Sequence, residues 1–87
     1  MFINKTPDGR NNLCGIQVAR IRKAKGWSQR ALADELQRIG LDVDKNAVQR
    51  IESGQRFVTD IELVYLAKTL CVDVNELLCD GSVKMPY

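Results

Sequence analysis

The sequence predicts an all-α domain of five short helices, and three observations support this fold class. Apolar residues recur at helical spacing in several segments, as Cys14, Val18 and Ile21 do near the start of the chain. No stretch alternates with period two for long enough to form a central strand. Pro7 and Pro86 both lie near the termini, so no proline interrupts the helical pattern between them.

The predicted helices have well-marked starts. Four segments begin with a capping side chain that has an apolar residue just before it and another four residues after it, the arrangement called a hydrophobic staple. The four caps are Ser28, Asp44, Thr59 and Asp73. The staple pairs are Trp27 with Leu32, Val43 with Val48, Val58 with Leu63, and Val72 with Leu77. Glutamates three residues after Thr59 and Asp73 complete two capping boxes, and each cap should stabilise its helix by about 1 kcal/mol.

The predicted helix ends agree with these starts. Gly26, Gly40 and Gly54 each follow an apolar periodic run, where a left-handed residue ends a helix without a steric clash. Together the signals predict helices at 13–25, 28–39, 44–53, 59–70 and 73–79. The start of the first helix is the least defined, since Gly15 lowers helix stability by about 1 kcal/mol relative to alanine.

The chain therefore divides into a helical domain at 13–79 and two terminal segments. We expect partly ordered tails at 1–12 and 80–87. Two alternatives stay open, namely a basic arm that carries Lys5 and Arg10 onto a polyanion, and a small strand pair used in dimerisation. Phe57 and Tyr65 have no assigned role and fit either the core or an interface.

The composition excludes most enzyme chemistry. The 87 residues contain no histidine and three cysteines, and Cys14, Cys71 and Cys79 form no C-x-x-C pair. Imidazole-dependent nucleophilic sites and zinc sites are thereby excluded, and we expect no enzyme activity, metal or cofactor. Buried, inert thiols in a reduced cytoplasm are the expected use of the cysteines. No signal-peptide or membrane-spanning pattern is present, and no small-molecule ligand is evident.

The charge distribution is more informative than the net charge of +2. Residues 1–56 hold 11 Lys or Arg and 6 Asp or Glu, a net +5, whereas residues 57–87 hold 2 and 5, a net −3. Such asymmetry fits contact of the basic part with nucleic acid, and it fits an ordinary solvated charged face equally well.

The third predicted helix has a polar, donor-rich face. Val48 and Ile51 define its inward face, which places the polar residues on the other side. These outward residues are Lys45, Asn46, Gln49, Arg50 and Ser53. Arginine and lysine can donate to guanine, and asparagine and glutamine can bond bidentately to adenine, so these residue types suit the major groove. On composition alone, an ordinary solvent-exposed face is the better explanation.

Two sequence motifs favour a DNA-binding surface over an ordinary solvent-exposed face. The segment 26–33, with the letters GWSQRALA, and the segment 47–56, with the letters AVQRIESGQR, resemble the helix-turn-helix signature of the lambda-repressor-like family, also called Cro/repressor-type or XRE-type regulators. The resemblance covers roughly residues 14–78, with the helix-turn-helix at helices two and three. It implies a compact five-helix DNA-binding domain.

The resemblance also implies roles for individual residues. In such proteins helix two crosses the DNA backbone and helix three enters the major groove with its N-terminal end leading. That places Lys45, Asn46 and Arg50 at base edges, with Gln49 close by. Gln29 would contact a phosphate and brace the base-reading residues.

Further roles follow from the same resemblance. Ser28 is best explained as a helix cap whose neighbouring free N–H groups can face a phosphate. Arg22 and Glu52 match an ion pair of several relatives, with Arg22 also offering an edge to phosphate. Arg56 matches a loop position that commonly contacts the DNA backbone.

One feature departs from the compact motif. Residues 37–43 make the link between helices two and three longer than the usual turn of 3–4 residues. We interpret it as an extra helical turn and a loop, with Gly40 ending the helix and Leu41 packing back. Asp42 and Asp44 place negative charge beside the proposed groove face, although Asp44 is explained as a cap.

The function that the sequence predicts is sequence-specific binding of double-stranded DNA by a transcription regulator. The resemblance favours a repressor that acts as a homodimer on a two-fold symmetric operator. The alternative is a protein-interaction module, such as an antitoxin-like or accessory regulator, that uses the same helices to bind another protein.

Overall fold

Five α-helices make up the part of the chain that the structure describes. The computed structural model describes residues 5–6 and 9–78, and within these ranges there is no β-strand. The helices are α1 (Gly15–Ala24), α2 (Gln29–Arg38), α3 (Lys45–Ser53), α4 (Asp60–Leu70) and α5 (Val74–Leu78). The all-α prediction is confirmed, and the predicted bounds agree within two residues. Cys79 and the predicted tail at 80–87 lie outside the described residues.

Three of the four predicted N-caps are formed by their side chains. The Ser28 Oγ accepts a hydrogen bond from the Ala31 N–H at 3.0 Å, and the Asp44 Oδ1 accepts one from the Ala47 N–H at 2.8 Å. Thr59 has the full reciprocal capping box with Glu62. The box predicted at Asp73 stays a prediction.

A single apolar core joins all five helices. Its buried members are Cys14, Val18, Leu32, Ala33, Leu36, Val43, Val48, Ile51, Leu66, Ala67, Leu70 and Leu77. The remaining staple residues, Trp27, Val58, Leu63 and Val72, are partly buried and pack against this core. Helix α1 packs on α3, α4 and α5, while α2 packs on α3 and α4. The core thus holds α3 by one side and leaves its other side free.

The first half of the long link between α2 and α3 folds as predicted. Gly40 has φ +108° after the helix end, and the Leu41 N–H donates to the Leu36 carbonyl at 2.9 Å. Leu41 packs against the core, as expected. The Gln37 side chain then donates to the Val43 carbonyl at 2.7 Å, which ties the second half of the link back to α2.

Helix α1 begins in a way that the sequence signals did not show. The Asn12 Oδ1 accepts from the Gly15 N–H at 2.9 Å, so the Asn12 side chain satisfies the first N–H of a helix whose N-cap, Cys14, makes no side-chain cap bond. A Cβ on Gly15 would lie 2.1 Å from the Ile51 carbonyl oxygen and 2.8 Å from that same Asn12 oxygen. Glycine is therefore needed here for the close approach of α1 to α3, which outweighs its cost in helix stability.

The cysteine prediction is confirmed for one residue and wrong for another. Cys14 is 2% exposed, and its burial raises the pKa of the thiol to about 11. Cys71 is exposed, contrary to the expectation of a buried thiol. It is the C-cap of α4 with a left-handed φ of +59°, a position where the backbone turns away from the helix and its side chain leaves the core.

Within the described part of the chain, no helix is long and apolar enough to cross a membrane.

Candidate nucleic-acid interface

The exposed face of α3 is the centre of the candidate interface. Val48 and Ile51 are each 1% exposed and anchor the helix, whereas the residues on the opposite face lie in solvent. The predicted outward residues Lys45, Asn46, Gln49, Arg50 and Ser53 are all exposed. The predicted division of α3 into a buried and an exposed face is therefore confirmed.

Four polar side chains on this face keep their donors available. Lys45, Asn46, Gln49 and Arg50 make no side-chain hydrogen bond or ion pair to the residues that the structure describes. Asn46, Gln49 and Arg50 line a shallow open groove together with Ser53 and Gln55. Unpaired amide and guanidinium groups side by side on a helix can donate jointly to a flat, acceptor-rich surface.

The first turn of α3 is fixed by its cap. Asp44 has an extended backbone, and its carboxylate accepts from the Ala47 N–H, so the helix starts at Lys45. The carboxylate also suits the positive end of the helix dipole. The cap thus fixes where α3 begins, and with it the positions of Lys45 and Asn46 in the first turn.

A buried polar network joins the first three helices beneath this face. The Arg22 Nε and Nη2 donate to the two Glu52 carboxylate oxygens at 2.6 and 3.0 Å, and the side chains are 9% and 8% exposed. The Arg22 Nη1 donates to the Trp27 carbonyl at 2.7 Å. The ion pair implied by the family resemblance is present, and it commits three nitrogens of Arg22 to internal bonds.

Gln29 joins the same network. Its Nε2 donates to the Glu52 Oε1 at 3.0 Å, so the first residue of α2 is bonded to the penultimate residue of α3. Glu52 thereby binds one side chain from α1 and one from α2. This three-helix bond fixes the position of α2 relative to α3. Ser28, at the exposed end of α2, uses its hydroxyl as the helix cap.

Arg56 lies in the loop after α3 and is half-buried. Its Nη2 donates to the Glu62 Oε2 at 3.0 Å, which ties the loop to α4. Burial by itself would raise the pKa of Glu62, but the hydrogen bonds from Arg56 and Thr59 and the charge of Arg56 outweigh it and lower the pKa. Glu62 is thus held ionised as the partner of Arg56. Arg56 accordingly presents only part of its guanidinium to solvent.

The residues just before α1 bind the far end of α3, a contact that sequence reasoning missed. The Arg10 Nη2 donates to the carbonyls of Glu52 at 2.8 Å and Ile51 at 3.5 Å. Asn12 donates to the carbonyls of Ile51 at 3.0 Å and Arg56 at 2.7 Å. These donors satisfy carbonyls that a helix end leaves free, and the Arg10 cation suits the negative end of the helix dipole.

Asn11 extends the same contact into the loop. Its N–H donates to the Gly54 carbonyl at 2.7 Å and its side chain donates to the Gln55 carbonyl at 3.0 Å. A Cβ on Gly54 would lie 2.9 Å from Arg10 carbon atoms, so glycine makes room for the arginine. We call residues 10–12 the N-terminal clamp. The one local signal that could have pointed to part of it is the asparagine three residues before Gly15, which sequence reasoning did not use.

One of the two alternatives for the predicted N-terminal tail is a basic arm that carries Lys5 and Arg10. The structure contradicts it for Arg10, because Arg10 is bound within the domain. Its guanidinium is held against α3, and the Arg10 Nε is buried. Lys5, the other residue considered for that arm, donates to the Asn11 Oδ1 at 3.1 Å in an exposed position. Residues 1–4 and 7–8 lie outside the described part of the chain.

Among the residues that the structure describes, no three Cys, Asp or Glu side chains lie close enough together to hold a metal ion.

The comparisons with known proteins agree with this geometry. A family model described as a helix-turn-helix domain matches residues 14–78, so the chain belongs to this family of non-enzymatic, DNA-binding transcription regulators. No curated protein matches the chain in sequence.

Solved structures similar to this chain include the following two. The restriction-modification controller protein C.AhdI from Aeromonas hydrophila is 36% identical, with a TM-score of 0.63, over 72% of this chain and 88% of that one. The hypothetical transcription factor NHTF from Neisseria has a TM-score of 0.71 at 23% identity, over 94% of this chain and 91% of that one. The second similarity shows the fold alone.

Proposed function

We propose that this chain is a cytoplasmic transcription regulator that recognises a specific double-stranded DNA sequence with α3 in the major groove. The observation that carries the proposal is the row of four exposed side chains, Lys45, Asn46, Gln49 and Arg50, whose donors have no partner among the described residues. In a family of DNA-binding regulators, that row is the surface with the chemistry to read base edges.

The other candidate residues differ in how strongly bonds inside the domain hold their side chains. Ser28 is exposed, and the start of α2 that it caps fits a phosphate. Gln29 and Arg22 are bonded to Glu52, so their part in the proposal is to orient α2 and α3, with any phosphate contact secondary. Arg56 is half-buried, with its Nη2 bonded to Glu62 and its Nη1 buried, so its part in the proposal is to hold the loop after α3, with any contact to the DNA phosphates secondary.

Dimerisation belongs to the proposal because one domain of this size reads few base pairs. Two copies on a two-fold site, with recognition helices roughly 34 Å apart, read two half-sites about one helical turn apart and gain affinity and selectivity. The similarity to a restriction-modification controller protein favours a regulatory role. We propose repression as the output on the strength of the resemblance to repressor-type regulators alone.

Selection of bound fragments from a random duplex library tests the proposal. We expect a palindromic consensus whose half-sites are about 10 base pairs apart, centre to centre. A pool that stays random after several rounds would contradict sequence-specific binding.

Salt dependence separates DNA binding from the alternative of a protein-interaction module. If four to six phosphates are neutralised, the affinity for the selected duplex should fall with a log–log slope of roughly −4 to −5. Fluorescence anisotropy between low and physiological salt measures this slope. An affinity that does not change with salt would rule out binding through the phosphate backbone.

A further inference from the structure

Helix α4 and the loop just before it carry exposed apolar side chains that the function described so far does not use. Phe57, Ile61 and Val64 are 55%, 65% and 44% exposed. Ile61 and Val64 are three residues apart in α4, on a face opposite the buried Leu66 and Leu70, and Phe57 lies in the loop just before the helix. Three large, exposed apolar side chains close together in the sequence of such a small domain indicate a contact surface. We call these residues the α4 stripe.

The α4 stripe has opposite charges at its two ends. Asp60 lies in the first turn of the helix and Lys68 in the last turn, and both side chains are exposed. They are eight residues apart, about 12 Å along the helix, with Val64 midway between them. Neither makes a side-chain hydrogen bond or ion pair to the described residues. The surface is therefore complementary to itself when a second copy runs antiparallel.

We propose that the α4 stripe is the surface by which two copies of this chain pair, with a two-fold axis passing near Val64. Asp60 of each copy then faces Lys68 of the other copy. Phe57 and Ile61 of each copy cover the aliphatic part of the Lys68 side chain of the other copy. An interface of this kind is isologous, because the same patch contributes from both sides. This inference rests on the proposed function only in that a two-fold operator requires such a dimer.

The position of the stripe suits a DNA-binding dimer. Phe57 follows directly after Arg56, whose bond to Glu62 holds the loop against α4 close to the end of α3. The pairing axis therefore lies near the recognition helices and fixes the distance between them. The stripe also belongs to the part of the sequence with net charge −3, so pairing there leaves the part with net charge +5 free to approach DNA.

Sedimentation equilibrium of the full chain and of charge-swapped variants tests the pairing. Asp60→Lys and Lys68→Asp each place like charges opposite each other at two points, so each should weaken dimerisation at least tenfold. The double variant restores both opposite-charge pairs and should regain most of the lost dimer affinity. Because each swap also opposes the helix dipole, circular dichroism melting checks that every variant is folded.

A second variant tests the apolar part. Ile61→Glu should weaken dimerisation at least tenfold, while Lys23→Gln, an equal charge change at an exposed residue of α1, should leave it unchanged. Wild-type chain that stays monomeric at high concentration would overturn the proposal. So would a double charge swap no better than the single ones, or a wild-type dimer that Ile61→Glu leaves intact.

Binding to DNA distinguishes failure of this inference from failure of the proposed function. The folded Ile61→Glu monomer should still bind a duplex that contains one selected half-site with wild-type affinity, and it should lose cooperativity on the two half-site duplex. If Ile61→Glu dimerises and binds cooperatively like the wild type, the α4 stripe is not the dimer surface, although DNA binding stands. If the charge swaps change the dimer affinity as predicted but the wild type binds no duplex, the α4 stripe is the dimer surface and the proposed DNA-binding function is wrong.

Discussion

Glu52 is the residue on which the relative positions of three helices depend. Its carboxylate accepts from Arg22 of α1 and Gln29 of α2 while its own backbone belongs to α3. Because Arg22 and Glu52 are almost fully buried, neither charge is screened by water when the other is removed. The orientation of α3 and the stability of the folded domain therefore both depend on this network.

Removing Glu52 should destabilise the domain strongly. Glu52→Ala leaves the buried Arg22 guanidinium without its anion, at a cost of about 3 kcal/mol in the free energy of unfolding. Urea denaturation measures this value. Glu35→Ala is the matched control, since it removes an exposed ion pair with Arg38 and should cost under about 1 kcal/mol. Equal losses in the two variants would mean that the buried network is unimportant.

Cys14 gives the domain a dependence on alkaline pH. Burial raises the pKa of its thiol from 9.0 to about 11, so the unfolded chain loses this proton at a lower pH than the folded chain does. Stability contributed by the protonated thiol is complete below pH 9 and is lost as the pH rises to about 11. The slope reaches up to roughly 1.4 kcal/mol per pH unit.

Substitution of Cys14 checks this assignment. Cys14→Ala should show a smaller decline in the free energy of unfolding than the wild type between pH 9 and about 11. Cys71→Ala removes an exposed thiol and should decline as the wild type does. Parallel pH profiles for the wild type and Cys14→Ala would show that the thiol does not contribute.

At the scale of whole elements, local signals placed the helices well. Caps, staples and C-terminal glycines act within one turn, and the sequence therefore contains all the atoms that decide where such a helix begins or ends. Helix α4 shows the limit. Its left-handed C-cap is Cys71, and since cysteine carries no preference for that conformation, no pattern predicted an exposed thiol there.

The N-terminal clamp shows why the contact between two distant elements was missed. Arg10 and Asn12 bind carbonyls about 40 residues later in the chain, and a backbone carbonyl looks the same at every position of a sequence. Only the packing of α1 on α3, which the close approach at Gly15 permits, brings these groups together. The clamp makes the end of α3 and the following loop depend on residues that precede α1.

Loss of the clamp should loosen that loop. Arg10→Ala removes a charged donor from two carbonyls at the end of α3 and should destabilise the domain by about 1.5–3 kcal/mol. Hydrogen exchange should become faster at the amides of Gln55 and Arg56. Lys5→Ala removes an equal charge from an exposed bond and should change neither quantity. Unchanged exchange at Gln55 in Arg10→Ala would contradict the role given to the clamp.

At the scale of the molecule, the fold and the exposed face of α3 were predictable because both follow from apolar periodicity. The family resemblance added the Arg22–Glu52 pair, which composition and spacing alone do not indicate. The bond between Gln29 and Glu52, the pairing of Arg56 with Glu62 and the exposure of the α4 stripe depend on how the helices meet. Those contacts decide which candidate residues remain free to bind a partner.

The most direct test of the central claim is the base preference of an Arg50 variant. Wild type and Arg50→Ala are each taken through duplex selection, and Arg30→Ala, which removes an exposed cation from α2, serves as control. We predict that Arg50→Ala loses its preference at one or two base pairs of each half-site and binds the wild-type consensus about tenfold or more weakly, whereas Arg30→Ala keeps the consensus. An Arg50→Ala chain that selects the wild-type consensus with wild-type affinity would contradict recognition of DNA by the exposed face of α3.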